Sequence, residues 1–181
     1  MFFGILSIDA QIVLNNGSFE DIPGDATMPS GWWYVERGTT PDILPGYWGV
    51  YSEASEGDTF IGLITRENGT FESIGQRLSE TLVAGSCYQF NIDLAHSTGY
   101  VGYNEPIKVR IYIGSKRKAK DQLIYESEVI ENIEWETLDV EFNPEKNYRY
   151  FIIEVHSPTG PNVGGNVLID NITTITNCNR V

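Results

Sequence analysis

Apolar and polar residues alternate along several short segments of the chain. In residues 88–94 the even-numbered positions, from Tyr88 to Leu94, are apolar and the odd-numbered positions are polar. The same alternation recurs in residues 107–113 and 137–142. A period of two residues is typical of an antiparallel strand with one buried face. The pattern therefore predicts a strand at each of these three places.

Further apolar segments predict more strands and, with them, the fold class. The additional strands are predicted at residues 11–14, 59–65, 72–82, 148–155 and 166–175. Eighteen glycines and eight prolines punctuate the chain, as expected for strands joined by turns. The only segment with helical character, residues 115–122, carries a basic run, and a solvated loop is the preferred interpretation. Many short strands without alternating helices predict an all-β sandwich, most commonly a jelly roll at this length.

One stretch interrupts the regular spacing of strands. Residues 37–57 are rich in glycine and proline and carry Tyr47, Trp48 and Tyr51. Long connections inside compact domains are usually functional. This segment is therefore the first candidate for a binding site.

Charge narrows the range of partners. The chain has 181 residues, with 25 acidic and 12 basic side chains and a formal net charge of −13. Such a charge opposes phosphate backbones and anionic membrane surfaces, because their protein partners rely on Lys and Arg. No stretch of about 18 apolar residues is present, so no membrane span is predicted. One domain is expected at this length.

The first ten residues resemble the end of a secretory signal. A short apolar run leads to Ala10, where a signal peptidase would cut, although a basic n-region is missing. We predict that residues 1–10 are a signal-peptide remnant and that residues 11–181 form one exported domain, secreted or held at the cell surface. The alternative is an ordinary first strand.

The two cysteines, Cys87 and Cys178, are predicted to pair. Neither lies in a C-x-x-C motif or at metal-ligand spacing from a histidine. Cys87 opens one predicted strand and Cys178 closes the last one. If these strands are antiparallel neighbours, the sulfurs meet and close a loop of about ninety residues, conditional on export.

Asp170 is expected to need a compensating partner. It shares a strand face with Leu168 and Ile172, where an unpaired carboxylate would cost several kcal/mol. The candidates are an arginine, a set of backbone N–H groups or a cation. Glu20 converges with Asp170 if the first and last strands are neighbours, and oxygen ligands of this kind suit Ca²⁺. A strand-edge Asp in water, or one capping a turn, is the alternative.

Several motifs, in their order and spacing, resemble a known family. They are Asn15-Asn16-Gly17-Ser18-Phe19-Glu20, Gly31-Trp32, Gly85 with Cys87-Tyr88, Trp135, and Leu168-Ile169-Asp170-Asn171-Ile172. The chain resembles the galactose-binding-like jelly-roll carbohydrate-binding modules of xylanases and glucanases. With Thr40-Pro41-Asp42 and residues 57–62 included, it is similar to N-terminal sandwich domains of surface proteins of gliding, polysaccharide-degrading bacteria. The resemblance implies a structural calcium on Glu20 and Asp170.

Sugar binding requires aromatic faces for the apolar side of a pyranose ring and polar groups for its edges. The available platforms are Tyr47, Trp48 and Tyr51 in the long loop, and Tyr100 and Tyr103 in the glycine-rich loop after His96. The accompanying polar candidates on the preceding strand are Asn91 and Asp93, together with His96. Any of the loop tyrosines could instead serve as a packing lid.

Catalysis has little support in the sequence. Each of the two histidines is followed by a serine, and neighbours in a strand point to opposite faces, so neither pair forms a dyad while extended. We therefore predict a non-catalytic carbohydrate-binding module that recognises a polysaccharide or oligosaccharide. The alternatives are an adhesion or assembly domain that binds a surface protein, and a polysaccharide lyase or hydrolase on the same fold.

Overall fold

The computed structural model describes residues 11–178, and this part of the chain forms twelve strands and no helix. In chain order the strands are β1 (Trp33–Tyr34), β2 (Asp42–Leu44), β3 (Phe60–Thr65), β4 (Ser73–Leu82), β5 (Tyr88–Ala95), β6 (Glu105–Pro106), β7 (Lys108–Gly114), β8 (Gln122–Glu126), β9 (Glu136–Phe142), β10 (Tyr148–His156), β11 (Gly165–Asp170) and β12 (Thr176–Asn177). The predicted all-β class is confirmed.

The strands form two sheets. The five-stranded sheet has the order β1-β4-β10-β7-β8. The seven-stranded sheet follows β12-β5-β11-β3-β2, with β9 paired to β5 and β6 paired to β11. All pairings are antiparallel except that of β6 with β11. Strands distant in sequence therefore lie side by side, as in a jelly roll.

The main core lies between the sheets. Ile74, Ile111 and Ile153 face it from the five-stranded sheet, and Ile92 and Ile169 face it from the other. Burial of each such side chain stabilises the fold by about 1.5 to 3 kcal/mol.

A second apolar cluster covers the outer face of the seven-stranded sheet. Phe60 and Leu168 point outward and are covered by Val50 and Tyr100 from two loops. A Cβ at Gly62 would lie 2.8 Å from the Tyr100 ring, so only glycine leaves room for that lid. Strands β3 and β11 beneath this cluster are consequently buried on both faces, which explains why they are apolar along nearly their whole length.

Most predicted strands are confirmed, including those over residues 59–65, 72–82, 88–94 and 148–155, each with ends within one residue. Residues 11–14 instead form a single bridge between Ile12 and Ile175. The prediction of one strand over residues 166–175 was wrong. Asn171 has a φ of 46°, which ends β11 at Asp170.

Five short strands were not predicted, and the long loop is less irregular than expected. The missed strands are β1, β2, β6, β8 and β12, each of five residues or fewer. Strand β2 lies inside the 37–57 segment and pairs with β3. Residues 115–121 form turns and bends, in agreement with the loop interpretation.

The described beginning and end of the chain lie side by side. Ile12 and Ile175 exchange two backbone hydrogen bonds of 2.9 Å, and the amide of Ile172 donates to Gly17. The predicted disulfide between Cys87 and Cys178 is present, because β12 pairs antiparallel with β5. The predicted signal remnant, residues 1–10, lies outside the described residues. No helix able to cross a membrane occurs within residues 11–178.

Candidate functional site

The outer side of the five-stranded sheet carries a row of large side chains. In register, Trp33 lies opposite Gly75, Gly75 opposite Ile152, and Ile152 opposite Tyr112. Tyr150 stands in the next row, with its ring centroid 6.3 Å from that of Trp33. We call this surface, together with residues 115–121 that cross it, the aromatic face. Its three aromatic rings come from three different strands.

The loop over the aromatic face is held close to the sheet. The backbone amide and hydroxyl of Ser115 both donate to the Asp121 carboxylate, at 2.7 and 2.6 Å. A Cβ at Gly114 would lie 1.9 Å from the carbonyl oxygen of Ala119, so this close approach requires glycine. The loop places the Arg117 guanidinium 4.5 Å from the centre of the Trp33 ring. Such a contact is a cation–π interaction.

Lys120 anchors the same loop through two carboxylates. Its ammonium group donates to Glu36 at 2.6 Å and also to Glu154. Burial alone would lower the pKa of Lys120, but the bonds to Glu154 and Glu36 raise it above its usual value. The lysine is therefore charged at neutral pH. It links the loop to Glu154 on β10 and to Glu36, which lies shortly after β1.

Two ring nitrogens at this face have no hydrogen-bond partner among the described residues. They are Nε1 of Trp33 and Nε2 of His156, and both are buried. Burial, followed by the charge of Arg110, lowers the pKa of His156. A cavity of about 290 Å³ adjoins this end of the sheet and is lined in part by Phe71 and His156. The face thus carries ring surface, and two buried ring nitrogens without partners lie within it.

The loops over the seven-stranded sheet form a second surface, which we call the loop patch. It consists of Tyr47, Trp48, Tyr51, Val101 and Ile133, all of which are exposed. Tyr51 and Ile133 border a cavity of about 250 Å³. Trp48 has a φ of 52°, an uncommon conformation for a bulky residue. The indole Nε1 of Trp48 donates to Asp25 at 2.8 Å, so this ring is fixed at the surface.

The polar groups beneath the loop patch are already engaged. The Tyr100 hydroxyl donates to Asp42, and the backbone amide of Ala26 donates to the same carboxylate at 2.7 Å. Burial raises the pKa of Asp42 and, with the Asp42 charge, that of Tyr100. The Asn166 amide donates to the carbonyls of Ser97 and Tyr103. Little polar capacity is left to orient a ligand there.

Three carboxylates surround residues 55–59, where the chain's described ends meet. Asp170 is fully buried and accepts backbone N–H bonds from Ser55 at 2.8 Å and Glu56 at 3.0 Å. Glu20 accepts from the amides of the same segment. Burial, with a contribution from the Glu20 charge, raises the pKa of Asp170 to about 6. Of the compensating partners expected for Asp170, the structure supplies the backbone N–H groups.

The third carboxylate, Asp93, has one oxygen bonded and one unused. Its Oδ2 accepts from the Ser55 hydroxyl at 2.6 Å and from Asn171 at 3.0 Å. Its Oδ1 is buried without a hydrogen-bond partner among the described residues. This orphaned oxygen, beside two further carboxylates, fits the hard-oxygen donors that Ca²⁺ prefers.

Within residues 11–178, the one group of three metal-type ligand atoms that lie within 4.8 Å of one another comprises Cys87, Glu141 and Cys178. Both sulfurs are consumed by the disulfide. The thiolate form that binds metals is therefore absent from this group.

Comparison with known proteins identifies the family. The family model described as "Carbohydrate binding domain" matches residues 11–163. The chain belongs to this carbohydrate-binding domain family. No match by sequence was found among curated proteins.

Solved structures with the same fold include other carbohydrate-binding domains. The CBM22-1 xylan-binding domain of Paenibacillus barcinonensis Xyn10C has a TM-score of 0.55 and 11% identity, over 88% of this chain and 97% of that one. The K2 adhesin domain of Lys-gingipain has a TM-score of 0.53 and 12% identity, over 96% and 99%.

An enzyme also contains this fold. Arabinose-bound MgGH51 α-L-arabinofuranosidase has a TM-score of 0.63 and 8% identity. The match covers 92% of this chain but only 26% of the enzyme chain. At these identities the similarities establish the jelly-roll fold of the carbohydrate-binding domain.

Some of the predicted ligand residues are exposed, and others are buried. Tyr47, Trp48 and Tyr51 are exposed, as a binding role requires. Tyr103 packs its ring 6.2 Å from that of Trp48. Tyr100 is fully buried, so its assignment as a ligand platform is corrected to a packing lid hydrogen-bonded to Asp42.

Of the three predicted polar candidates, only His96 lines the cavity that Tyr51 borders. Asp93 and His96 are buried, Asp93 against residues 55 and 171 and His96 beside the Asn166 carbonyl. Asn91 donates to Asp139 on β9. The expected cluster of polar groups around the loop tyrosines is therefore not assembled by these three residues.

The aromatic face was missed at the level of sequence. Trp33 follows Trp32, and Tyr150 lies in a strand that is apolar on both faces, so burial explained both residues equally well. The sequence feature that could have indicated this face is the basic run at residues 116–120. Cations held over a sheet need aromatic or acidic partners, so such a run points to aromatic or acidic residues beneath it.

Proposed function

We propose that this carbohydrate-binding domain is a non-catalytic module of a secreted or cell-surface protein, and that it binds a polysaccharide on the aromatic face. The observation that supports this proposal is the set of Trp33, Tyr112 and Tyr150 on the outer side of one sheet, on β1, β7 and β10. Pyranose rings stack on aromatic faces of this kind. The loop patch has exposed rings, but the polar groups beneath it are already bonded.

Alanine substitution distinguishes the two surfaces. We expect Tyr150→Ala to weaken binding to its polysaccharide by about tenfold or more, because a stacking ring of roughly 150 to 250 Å² is lost. The double variant W48A/Y51A should retain wild-type affinity. Affinity electrophoresis in soluble plant and microbial polysaccharides identifies the ligand, and calorimetry gives the dissociation constants.

Thermal unfolding of both variants verifies that they fold. If W48A/Y51A loses polysaccharide binding and Tyr150→Ala does not, the polysaccharide binds at the loop patch and not at the aromatic face. Release of reducing or unsaturated ends from any polysaccharide would establish the lyase or hydrolase alternative.

A protein-binding role is the second candidate, and the loop patch favours it. Its five exposed apolar side chains are gathered on one surface, whereas monomeric proteins rarely expose large contiguous apolar patches. An adhesion or assembly partner that binds wild-type protein, but not W48A/Y51A, would support this role.

We also propose that Glu20, Asp93 and Asp170 hold a structural Ca²⁺. The orphaned Asp93 oxygen and the buried charge of Asp170 support this proposal. The ion would neutralise these carboxylates and stabilise the junction of the chain's described ends, since a ligand bound only by the native state stabilises it by mass action.

Adding Ca²⁺ to about 1 mM to chelator-treated protein is therefore expected to raise the melting temperature by several degrees. Asp170→Asn should abolish this response, while Asp139→Asn, the same substitution at an exposed site, should keep it. Identical melting curves with Ca²⁺ and with excess chelator would contradict the calcium proposal.

A further inference from the structure

The basic residues of this acidic protein are concentrated on one surface. Of the eleven Lys and Arg within the described residues, seven lie on the aromatic face. They are Arg77, Lys108, Arg110, Lys116, Arg117, Lys118 and Lys120. Four carboxylates are bonded to side chains or amides of this face: Glu36, Asp121, Glu126 and Glu154. The face is therefore locally positive in a chain whose formal net charge is −13.

The cations on this face fall into two groups. Lys120 and Arg110 are paired with carboxylates, at 2.6 Å to Glu36 and 2.5 Å to Glu126. Arg77, Arg117 and Lys118 are exposed and form no ion pair within residues 11–178. The paired cations stabilise the surface, whereas the unpaired ones are available to a ligand.

Two of the unpaired cations lie beside rings of the aromatic face, and the third lies over Tyr34, the residue that follows Trp33. Arg117 lies 4.5 Å from the Trp33 ring centre, and Lys118 lies 3.9 Å from that of Tyr34. On β4, Arg77 is in register with Tyr150. A sugar on these rings would place its equatorial substituents next to two or three positive charges. Guanidinium groups bind carboxylates and sulfates through paired hydrogen bonds.

From this arrangement we propose that the aromatic face recognises an anionic polysaccharide, whose carboxylate or sulfate groups pair with Arg77, Arg117 and Lys118. The inference rests on the proposed function and adds the class of ligand. Neutral glycans would use the rings alone. The excess negative charge elsewhere on the protein disfavours extended polyanions such as nucleic acids, which would approach more than this one surface.

The test compares glycans that share a backbone and differ in charge. Polygalacturonate is compared with its carboxyl-reduced, neutral form by calorimetry, and dextran sulfate, the sulfate source, is compared with dextran. We expect the protein to bind polygalacturonate or dextran sulfate at least about tenfold more tightly than the neutral polymer, the size of one charge-assisted hydrogen bond. Binding of only one polyanion identifies carboxylate or sulfate as the group recognised.

The double variant R117Q/K118Q should weaken binding of the anionic polymer by about tenfold and leave neutral-glycan binding unchanged. Lys146→Gln, which removes an exposed charge near Asp121 that lies over none of the described rings, should bind as the wild type does. Affinity for the anionic polymer should also fall between about 0.15 and 1 M salt, where the Debye length shrinks from about 8 to 3 Å.

Equal affinity for the anionic and neutral polymers would overturn the inference, as would unchanged binding in R117Q/K118Q. Tyr150-dependent binding of neutral glycans alone would then leave the proposed function intact. Failure of every glycan to bind would remove both proposals. A DNA duplex bound as tightly as polygalacturonate would show charge attraction without recognition of a sugar, and would also overturn the inference.

Discussion

The double variant C87S/C178S is expected to lose about 4 to 5 kcal/mol of unfolding free energy. The two cysteines are 91 residues apart in sequence, so the disulfide restricts half of the unfolded chain. In the chain-entropy model, closing a loop of this length lowers the conformational entropy of the unfolded chain. The unfolded state is thereby destabilised by this amount. The double variant is preferred because a single substitution would leave a reactive thiol.

Urea denaturation of the variant and the wild type, both without reductant, measures this difference. The wild type in excess dithiothreitol should reproduce the behaviour of the variant. The backbone hydrogen bond from Cys178 to Cys87, at 3.0 Å, and the pairing of β12 with β5 need no sulfur atoms, so the native fold should persist. A loss below about 1 kcal/mol would contradict the entropic account of this disulfide.

Replacing Arg66 by alanine is expected to cost about 3 to 5 kcal/mol at neutral pH, the usual effect of removing one partner of a buried ion pair. Glu72 is fully buried, and its carboxylate lies 2.6 Å from the Arg66 guanidinium. Its other bonds come from the backbone amide and the hydroxyl of Thr40, at 2.9 and 3.2 Å, and from the backbone amide of Ile64 at 3.1 Å. Without Arg66 the buried charge keeps only these neutral donors.

The cost of Arg66→Ala should depend on pH. Burial raises the pKa of Glu72 above its ordinary value of 4.5, although its hydrogen bonds and Arg66 act in the opposite direction. A carboxyl with a raised pKa destabilises the fold increasingly as pH rises above 4.5 through its folded value. The destabilisation should therefore be largest at pH 7 to 8 and diminish toward pH 4.5, where the folded protein holds Glu72 protonated.

Unfolding free energies at both pH values test this expectation. The double variant R66A/E72Q removes the buried charge and should be more stable at neutral pH than R66A alone. Arg66→Lys keeps the positive charge and should lose less than Arg66→Ala. An equal cost of Arg66→Ala at the two pH values would indicate that lost packing of the arginine, and not the charge of Glu72, is responsible.

The sequence by itself determined the fold class and most strands. The alternation of apolar and polar residues in β5, β7 and β9 is a local property, because successive side chains in a strand must face opposite sides of the sheet. The disulfide was also predictable, since Cys87 and Cys178 mark the beginning of one strand and the end of another. Short strands such as β1 were missed because two residues carry no detectable period.

The candidate site was decided by the tertiary structure. Trp33, Arg77, Arg117 and Tyr150 come from four separate parts of the chain, and they meet only because β4 and β10 pair across a large sequence separation. Net charge is likewise a sum over the whole sequence, and it concealed a positive face. Tyr100 shows the converse case, since an aromatic residue in a glycine-rich loop resembles a ligand platform until the strand beneath it, at Gly62, is known to leave space for the ring. Local patterns specify which backbone segments extend, whereas the assembly of a surface depends on which distant segments become neighbours.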